Sequence, residues 1–390
     1  MSVDRAALDL VFNPEALESL TGAVRAGHLR FKPGTGLTAT LLDADGAPTG
    51  WLRILADGAE KLDNARRRAE RRSLTVEAAV LPERVACEER AARHDEGTTT
   101  AFWGPVLADP GLAKVLDEID DSPTDSWQVL RYNPLRRLVV KVTASDGTPV
   151  AGRLTHDRQD RLRGAAERIA RQVPTVARLR DTGLPESPRI TWWAWCDGGD
   201  LSHSPSEDAV REAGRVTAQL HEVVPPPGDD IRHHVAGNLA ANVELLTALD
   251  GDLGARLGST VERLLPQLTA EGPAVTCHGD LSADQFFLEG TRVRLGDLDR
   301  VTAGPPAFDL GSFAATSPEL LDVLLDGYQS LSQAPQGLVE GPSSTAGDLA
   351  AWTAYAHAIR ALEPFRAANS DWREKISARI DTIEETLCSR

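Results

Sequence analysis

One pattern is written twice in this chain of 390 residues. The stretch LRFKPGTGLTATLLDADGAP, residues 29–48, aligns with LRYNPLRRLVVKVTASDGTP, residues 130–149, at an offset of 101. Identical pairs are Leu29/Leu130, Arg30/Arg131, Pro33/Pro134, Leu37/Leu138, Asp45/Asp146, Gly46/Gly147 and Pro48/Pro149. One deletion then moves the offset to 100, where Arg53 meets Arg153, Asp57 meets Asp157, Leu62 meets Leu162 and Arg68 meets Arg168. Each copy reads as a β-hairpin closed by Asp-Gly, a dipeptide that tolerates positive φ. A helix rich in Arg, Glu and Ala follows, near 59–72 and 159–172. The Leu-Arg-aromatic-x-Pro opening lies outside the turn, so shared turn chemistry does not explain it. The repeat implies duplication of a strand–strand–helix unit.

The segment 73–125 joins the copies. In it, AFWGPVLADPGLAKVLDEI holds a short apolar run, then Asp109-Pro110, a good helix start. DDSPTDS, residues 120–126, reads as a boundary. A Trp-rich strand in RITWWAWCDGGDLS (189–202) ends at Asp197-Gly198-Gly199. Val210, Ala213, Val216, Thr217 and Leu220 then share one helical face of 206–223. Helices follow near 238–249 and 253–269, strand-forming residues return between Val275 and Arg300, and the end from about 316 is helical again. The Arg run 66–72 reads as a charged helix face, and His233-His234 as an exposed loop pair. Arg136-Arg137 fit either a solvated hairpin tip or a loop covering a nucleotide.

A hydrophobic share of 41% with 26% charged residues allows a sizeable core. The longest apolar runs, such as Leu138–Val142, stop far short of a membrane span. The N-terminus carries Asp4, Asp9 and Glu15 and lacks a basic start and apolar core, so a cytoplasmic location is expected. Cys87, Cys196, Cys277 and Cys388 form no CxxC pair, which argues against zinc and a disulfide framework. The net charge of −16 argues against nucleic acid as a partner and suits a cationic one.

The chemistry lies in HGDLSADQFFLEGTRVRLGDLDRVTAGPPAFDLGSF, residues 278–313. Phosphoryl transfer needs polyphosphate-bound magnesium, an oriented hydroxyl and neutralisation of developing charge. Magnesium takes hard oxygen ligands, few of them from protein. A loop carboxylate can receive the hydroxyl proton. Asp280 and Asp297 are expected on opposite arms of the hairpin FFLEGTRVRL, turning at Glu289-Gly290, which brings both carboxylates to one end.

This stretch resembles the signature of the aminoglycoside phosphotransferase and choline kinase-like superfamily, in the form found in actinobacterial "phosphotransferase family" proteins. His278-Gly279-Asp280-Leu281, Asp297 with Asp299, Gly304-Pro305 and Asp309-Leu310-Gly311 carry the resemblance. EAGRVTAQLHEV, with Gly214, Leu220 and His221, is similar to the first large helix of the family's C-lobe, and RALEPFRAANSDW (360–372) to its C-terminal helices. The likeness spans residues 127–372. It implies an α+β, bilobal protein-kinase-like fold, with a small antiparallel β N-lobe and a larger helical C-lobe. The domains expected are an accessory N-lobe-like repeat over 1–125, the N-lobe and hinge over 126–199, and the C-lobe over 200–390.

The same resemblance implies an ATP-dependent, magnesium-dependent kinase. Asp280 would be the base or hydroxyl orienter and Asp297 the main magnesium ligand, with His278 and Asp309 structural. Two positions depart from the pattern. Gln285 stands where the family has Asn, five residues after the Asp. It carries the same amide oxygen on a stem one methylene longer, as a ligand of the metal and nucleotide, with Asp284 as a substitute. Arg153 stands where a lysine reaches the phosphates, with Glu167 as its expected partner, and Arg is not interchangeable with Lys. Trp192, Trp193 or Trp195 would stack adenine or pack a core; Trp195 is the nucleotide-binding candidate. The acceptor is a hydroxyl of a small molecule. One alternative is Ser or Thr of a peptide in a natural-product pathway with a partner lyase, docked through the N-terminal unit. Another is a pseudokinase scaffold.

Overall fold

The computed structural model describes residues 3–81, 99–119, 127–228, 230–268, 274–331 and 345–388. The boundary expected at 120–126 lies outside the described residues, as does Cys87. The chain divides into two units. One comprises residues 1–159, 179–192 and 363–372, and the other 160–178, 193–362 and 373–390.

After α1 (Val3–Val11) and α2 (Pro14–Thr21), the first copy runs β1 (Arg25–Lys32), β2 (Gly36–Leu42), β3 (Pro48–Ala56), α3 (Ala59–Glu70), β4 (Glu77–Val80) and β5 (Thr99–Pro105). α4 (Ala113–Asp117) follows. The second copy runs β6 (Gln128–Asn133), β7 (Arg137–Thr143), β8 (Pro149–Thr155), α5 (Asp160–Ile169), β9 (Arg178–Leu179) and β10 (Ile190–Ala194). The strand orders are β1-β2-β3-β5-β4 and β6-β7-β8-β10-β9, the same connectivity twice. Each copy is thus a five-stranded sheet rather than a hairpin. β4 has four residues and β9 two, too few for an alternating pattern to show.

The deletion in the sequence alignment is a β-bulge. Leu42 faces Pro48 and Leu41 faces Gly50, leaving Thr49 as the extra residue, whereas Thr143 faces Pro149 and Val142 faces Val150 without a break. Beyond the bulge Arg53 faces Thr38 and Arg153 faces Val139, so the two arginines hold equivalent places in their sheets. Gly46 and Gly147 carry the positive φ, +82° and +87°, that the Asp-Gly turns need. Trp51, Phe102, Tyr132, Leu138, Leu154 and Trp192 are fully buried in the core of this unit.

Asp109 precedes α4, which begins at Ala113 after Leu112, instead of starting it as expected. It is fully buried, and it accepts from the backbone N–H groups of Gly111 (2.7 Å), Leu112 (3.2 Å) and Leu135 (2.7 Å) and from the Tyr132 hydroxyl (2.6 Å). One carboxylate thereby ties the end of the first copy to the start of the second.

The other unit is mainly helical. Its elements are α6 (Glu207–Glu222), α7 (Val235–Leu249), α8 (Gly251–Leu264), α9 (Pro306–Thr316), α10 (Leu321–Leu331), α11 (Thr345–Ile359) and, past α12 (Glu363–Arg366), α13 (Trp372–Cys388). Ser206 caps α6, its hydroxyl accepting from the Ala209 N–H at 3.2 Å, and Glu207 and Asp208 favour its N-terminal dipole. α6 lies against α10 through reciprocal glycines. A Cβ on Gly214 would meet the Leu324 carbonyl at 2.0 Å, and one on Gly327 the Arg211 carbonyl at 1.8 Å. That close approach sets the depth at which His221 and Tyr328 meet beneath the loops that follow. No helix among the described residues is long and apolar enough to cross a membrane.

Candidate active site

Two short antiparallel ladders present the loops. β11 (Val275–Cys277) pairs with β14 (Thr302–Gly304), and β12 (Phe286–Glu289) with β13 (Arg292–Leu295). Asp280 follows β11 and is not on the hairpin as expected; a 3₁₀ turn, Ala283–Gln285, separates it from β12. The residue that opens the hairpin arm is Gln285. Phe286 faces Leu295, and the Gly296 N–H donates to the Gln285 carbonyl at 2.8 Å, so Gln285 and Asp297 share one end of the hairpin. The turn is Gly290-Thr291, with Gly290 at φ +60°.

Asp280 reaches that end by another route. Gly279 has φ +90°, and a Cβ there would lie 2.1 Å from the Arg300 carbonyl, so the loop that carries Asp280 runs backbone against backbone with the turn that follows Asp297. His278 donates from Nε2 to the Gly296 carbonyl at 2.8 Å. Asp297 itself adopts the left-handed conformation, φ 46° and ψ 50°, immediately before the turn Leu298–Arg300. Left-handed backbone at a non-glycine residue costs free energy, and such positions cluster at functional sites. The Gln285 amide nitrogen donates to Asp284 at 3.1 Å, which fixes the sense of the amide and leaves its oxygen facing away from Asp284.

Beneath both loops lies Asp309, fully buried near the start of α9. It accepts from the N–H groups of His278 (2.6 Å) and Gly279 (3.0 Å) and from His221 Nε2 (3.2 Å); His221 Nδ1 in turn meets the Tyr328 hydroxyl at 2.9 Å. Burial alone would push this carboxyl up. The hydrogen bond from His221, the charges of His221 and His278 and the Gly279 N–H together hold it below its usual value. Cys277 completes a trio of metal-ligand types with His221 and Asp309, their atoms within 4.8 Å of one another. Every member is already hydrogen-bonded, the thiol to the Pro305 carbonyl at 3.5 Å, and burial pushes that thiol well up. The trio reads as a core network that holds the loop carrying Asp280.

Asp280 has two cationic partners that sequence reasoning missed. Arg360 Nη2 donates to Oδ1 at 2.5 Å and also to the Ser312 hydroxyl at 3.1 Å; Arg300 Nη1 lies 3.3 Å from Oδ2. Arg360 is 80 positions away in sequence, just past α11, and no local pattern marks it. His234, read from sequence as part of an exposed loop pair, is exposed and also lines the cavity beside Asp280.

His357, one helical turn before Arg360, is pushed down to about 4 by burial and then by Arg379 and Arg360. A histidine with a lowered folded-state value takes up its proton only on unfolding. Stability is therefore expected to fall as pH drops from about 6.5 towards 4, by about 1–2 kcal/mol after allowance for solvent screening. Urea midpoints measured across that range should decline less steeply in His357→Gln than in the parent. Parallel slopes would exclude this histidine as the cause.

The remaining predicted residues are placed as follows. Arg153 is in β8, its carbonyl accepting from the Gln159 side chain at 3.1 Å. Glu167 is in α5 and accepts from Arg178 at 2.7 Å. Trp192 is core, its indole donating to the Pro185 carbonyl at 2.9 Å, and Trp195 is half-buried just beyond β10.

The model of the phosphotransferase enzyme family matches residues 122–340, more than half of the chain. The chain belongs to this phosphotransferase family. No curated protein matches the sequence. Among solved structures, the phosphotransferase resembles an aminoglycoside phosphotransferase APH(4)-Ia in ternary complex with AMP-PNP and hygromycin B. The TM-score is 0.53 at 13% identity, over 71% of this chain and 99% of that one. The same enzyme with ADP and hygromycin B gives 0.50 at 13% identity, over 67% and 93%. A choline/ethanolamine kinase family protein from Mesorhizobium loti gives 0.48 at 17% identity, over 73% and 96%. The phosphotransferase thus has an α+β, protein-kinase-like fold, and residues 1–121 lie outside the family match.

Proposed function

We propose that this phosphotransferase moves the γ-phosphoryl group of ATP to a hydroxyl of a small molecule. The observation that carries the proposal is the join of the Asp280 loop to the Asp297 turn, through Gly279 against Arg300 and His278 on Gly296. In the reaction, the acceptor oxygen bonds to the γ-phosphorus as the bond to the β-phosphate oxygen breaks. ADP departs and the hydroxyl proton passes to the Asp280 carboxylate. Asp280 orients the hydroxyl from a loop whose backbone Asp309 holds.

The donors at the hairpin end are all oxygen, the Asp297 carboxylate and the Gln285 amide, a set that fits magnesium. Asp297 and Gln285 would hold magnesium there, and its positive charge would offset that of the phosphates. Arg153 is proposed to contact the nucleotide phosphates and Trp195 the base. Two of the solved structures with TM-scores of 0.50 or more, both of APH(4)-Ia, hold nucleotide together with hygromycin B, which supports a small-molecule acceptor.

Thermal unfolding with ATP, with and without magnesium, tests the proposal. Magnesium-dependent stabilisation is expected, about 2.7 kcal/mol at a nucleotide concentration a hundredfold above Kd. Asp297→Asn should abolish the magnesium dependence, whereas Gln285→Asn, shorter by one methylene, should weaken it. An Asp297→Asn protein that responds to magnesium as the parent does would remove Asp297 from the metal site. No response in the parent itself would mark a scaffold in place of a kinase.

A further inference from the structure

The proposed kinase reading leaves the acceptor class open, and the cavity beside Asp280 narrows it. That cavity, about 380 Å³, is lined by Arg161, Arg300 and Arg360 with His234, against Asp280 and Asp299. The three arginines come from three separate segments. Arg161 is on α5 and donates to the Val301 carbonyl at 3.1 Å, Arg300 is in the turn after Asp297, and Arg360 follows α11. They are therefore not neighbours on one solvated helix face; the fold gathers them.

The gathering runs against the composition. The chain has 58 acidic and 42 basic side chains, so an average wall would be acidic. Here guanidinium groups outnumber carboxylates, and one of those carboxylates, Asp280, is the group that must face the reacting hydroxyl. The Arg300 side chain is 62% exposed, with Nη1 3.3 Å from Asp280 Oδ2, so solvent and solutes reach it. A guanidinium carries five N–H donors suited to bidentate pairing with a carboxylate or phosphate. Phe308 and Tyr355 supply an apolar wall for a carbon skeleton.

We propose that the acceptor is an anionic hydroxyl compound, whose carboxylate or phosphate is taken by Arg300 and Arg161 while a hydroxyl of the same molecule meets Asp280. This rests on the kinase reading above. A cationic acceptor, which the net charge alone suggests, would face three guanidinium groups at close range.

Titration of the full chain in magnesium and AMP-PNP tests the proposal. The probes are D-gluconate, glycerol 3-phosphate, choline and kanamycin. The stabilisation by nucleotide is read first. At least one anionic probe should then bind more tightly than either cation, and the responding arm tells carboxylate from phosphate. Arg300→Gln should weaken that binding about tenfold, with Arg161→Gln as a second variant. Three results would overturn the inference: tighter binding of choline or kanamycin, no binding of either anion, or unchanged anion affinity in both variants. If nucleotide stabilises the chain and the anions fail, this inference falls alone. If nucleotide itself fails, the kinase reading falls and takes the inference with it.

Discussion

Replacing Asp280 by asparagine is expected to lower turnover by about 10²–10⁴-fold while leaving nucleotide affinity nearly unchanged. Asparagine keeps the size of the side chain and an oxygen for Arg360 or Arg300, so the loop should hold its place. What it loses is the capacity to take the hydroxyl proton. ADP release at saturating nucleotide, beside nucleotide-dependent stabilisation of the same protein, separates the two effects. Turnover equal to the parent's would remove Asp280 from the chemistry. A joint loss of turnover and nucleotide binding would instead point to collapse of the loop.

The second large effect is on stability. Asp309→Ala is expected to cost about 3–5 kcal/mol, the range seen when one partner of a buried charged pair is removed. The alanine strands the buried N–H group of His278 and the part-buried one of Gly279, and it leaves His221 facing Tyr328 alone. An unsatisfied buried donor costs about 1–3 kcal/mol by itself. The sign of the pH dependence follows from the lowered folded-state value. The carboxylate's contribution is complete above the usual 3.8 and is lost as pH falls through the lower folded-state value. Denaturant midpoints at pH 7 check the magnitude. A shift within the range of ordinary surface substitutions, about 0.5 kcal/mol, would mean the loop is held by other contacts.

Two sites of different character thus lie one above the other. Asp309 works from below, through backbone N–H groups. Arg300 and Arg360 work from the cavity side, on the carboxylate itself. A substitution below should move stability and turnover together, whereas Arg300→Gln, on a largely exposed side chain, should move acceptor affinity with little change in stability.

The sequence by itself determined the parts whose signals are local. The strong periodicity of 206–223 located α6 to within a residue, because amphipathic spacing is set by neighbours in the chain. The HGD and DxD elements with their GP and DLG tail indicated the kinase-like family from one contiguous stretch. Even the step in the repeat, from an offset of 101 to 100, was a true record of geometry, since a bulge is one inserted residue. Only the tertiary structure decided the rest. It moved Asp280 off the hairpin and onto a loop after β11, and it paired Glu167 with Arg178. It also brought Arg360 across 80 residues to the Asp280 carboxylate. Such contacts depend on where whole helices come to rest, which packing contacts such as that of Gly214 and Gly327 settle and which no local pattern encodes.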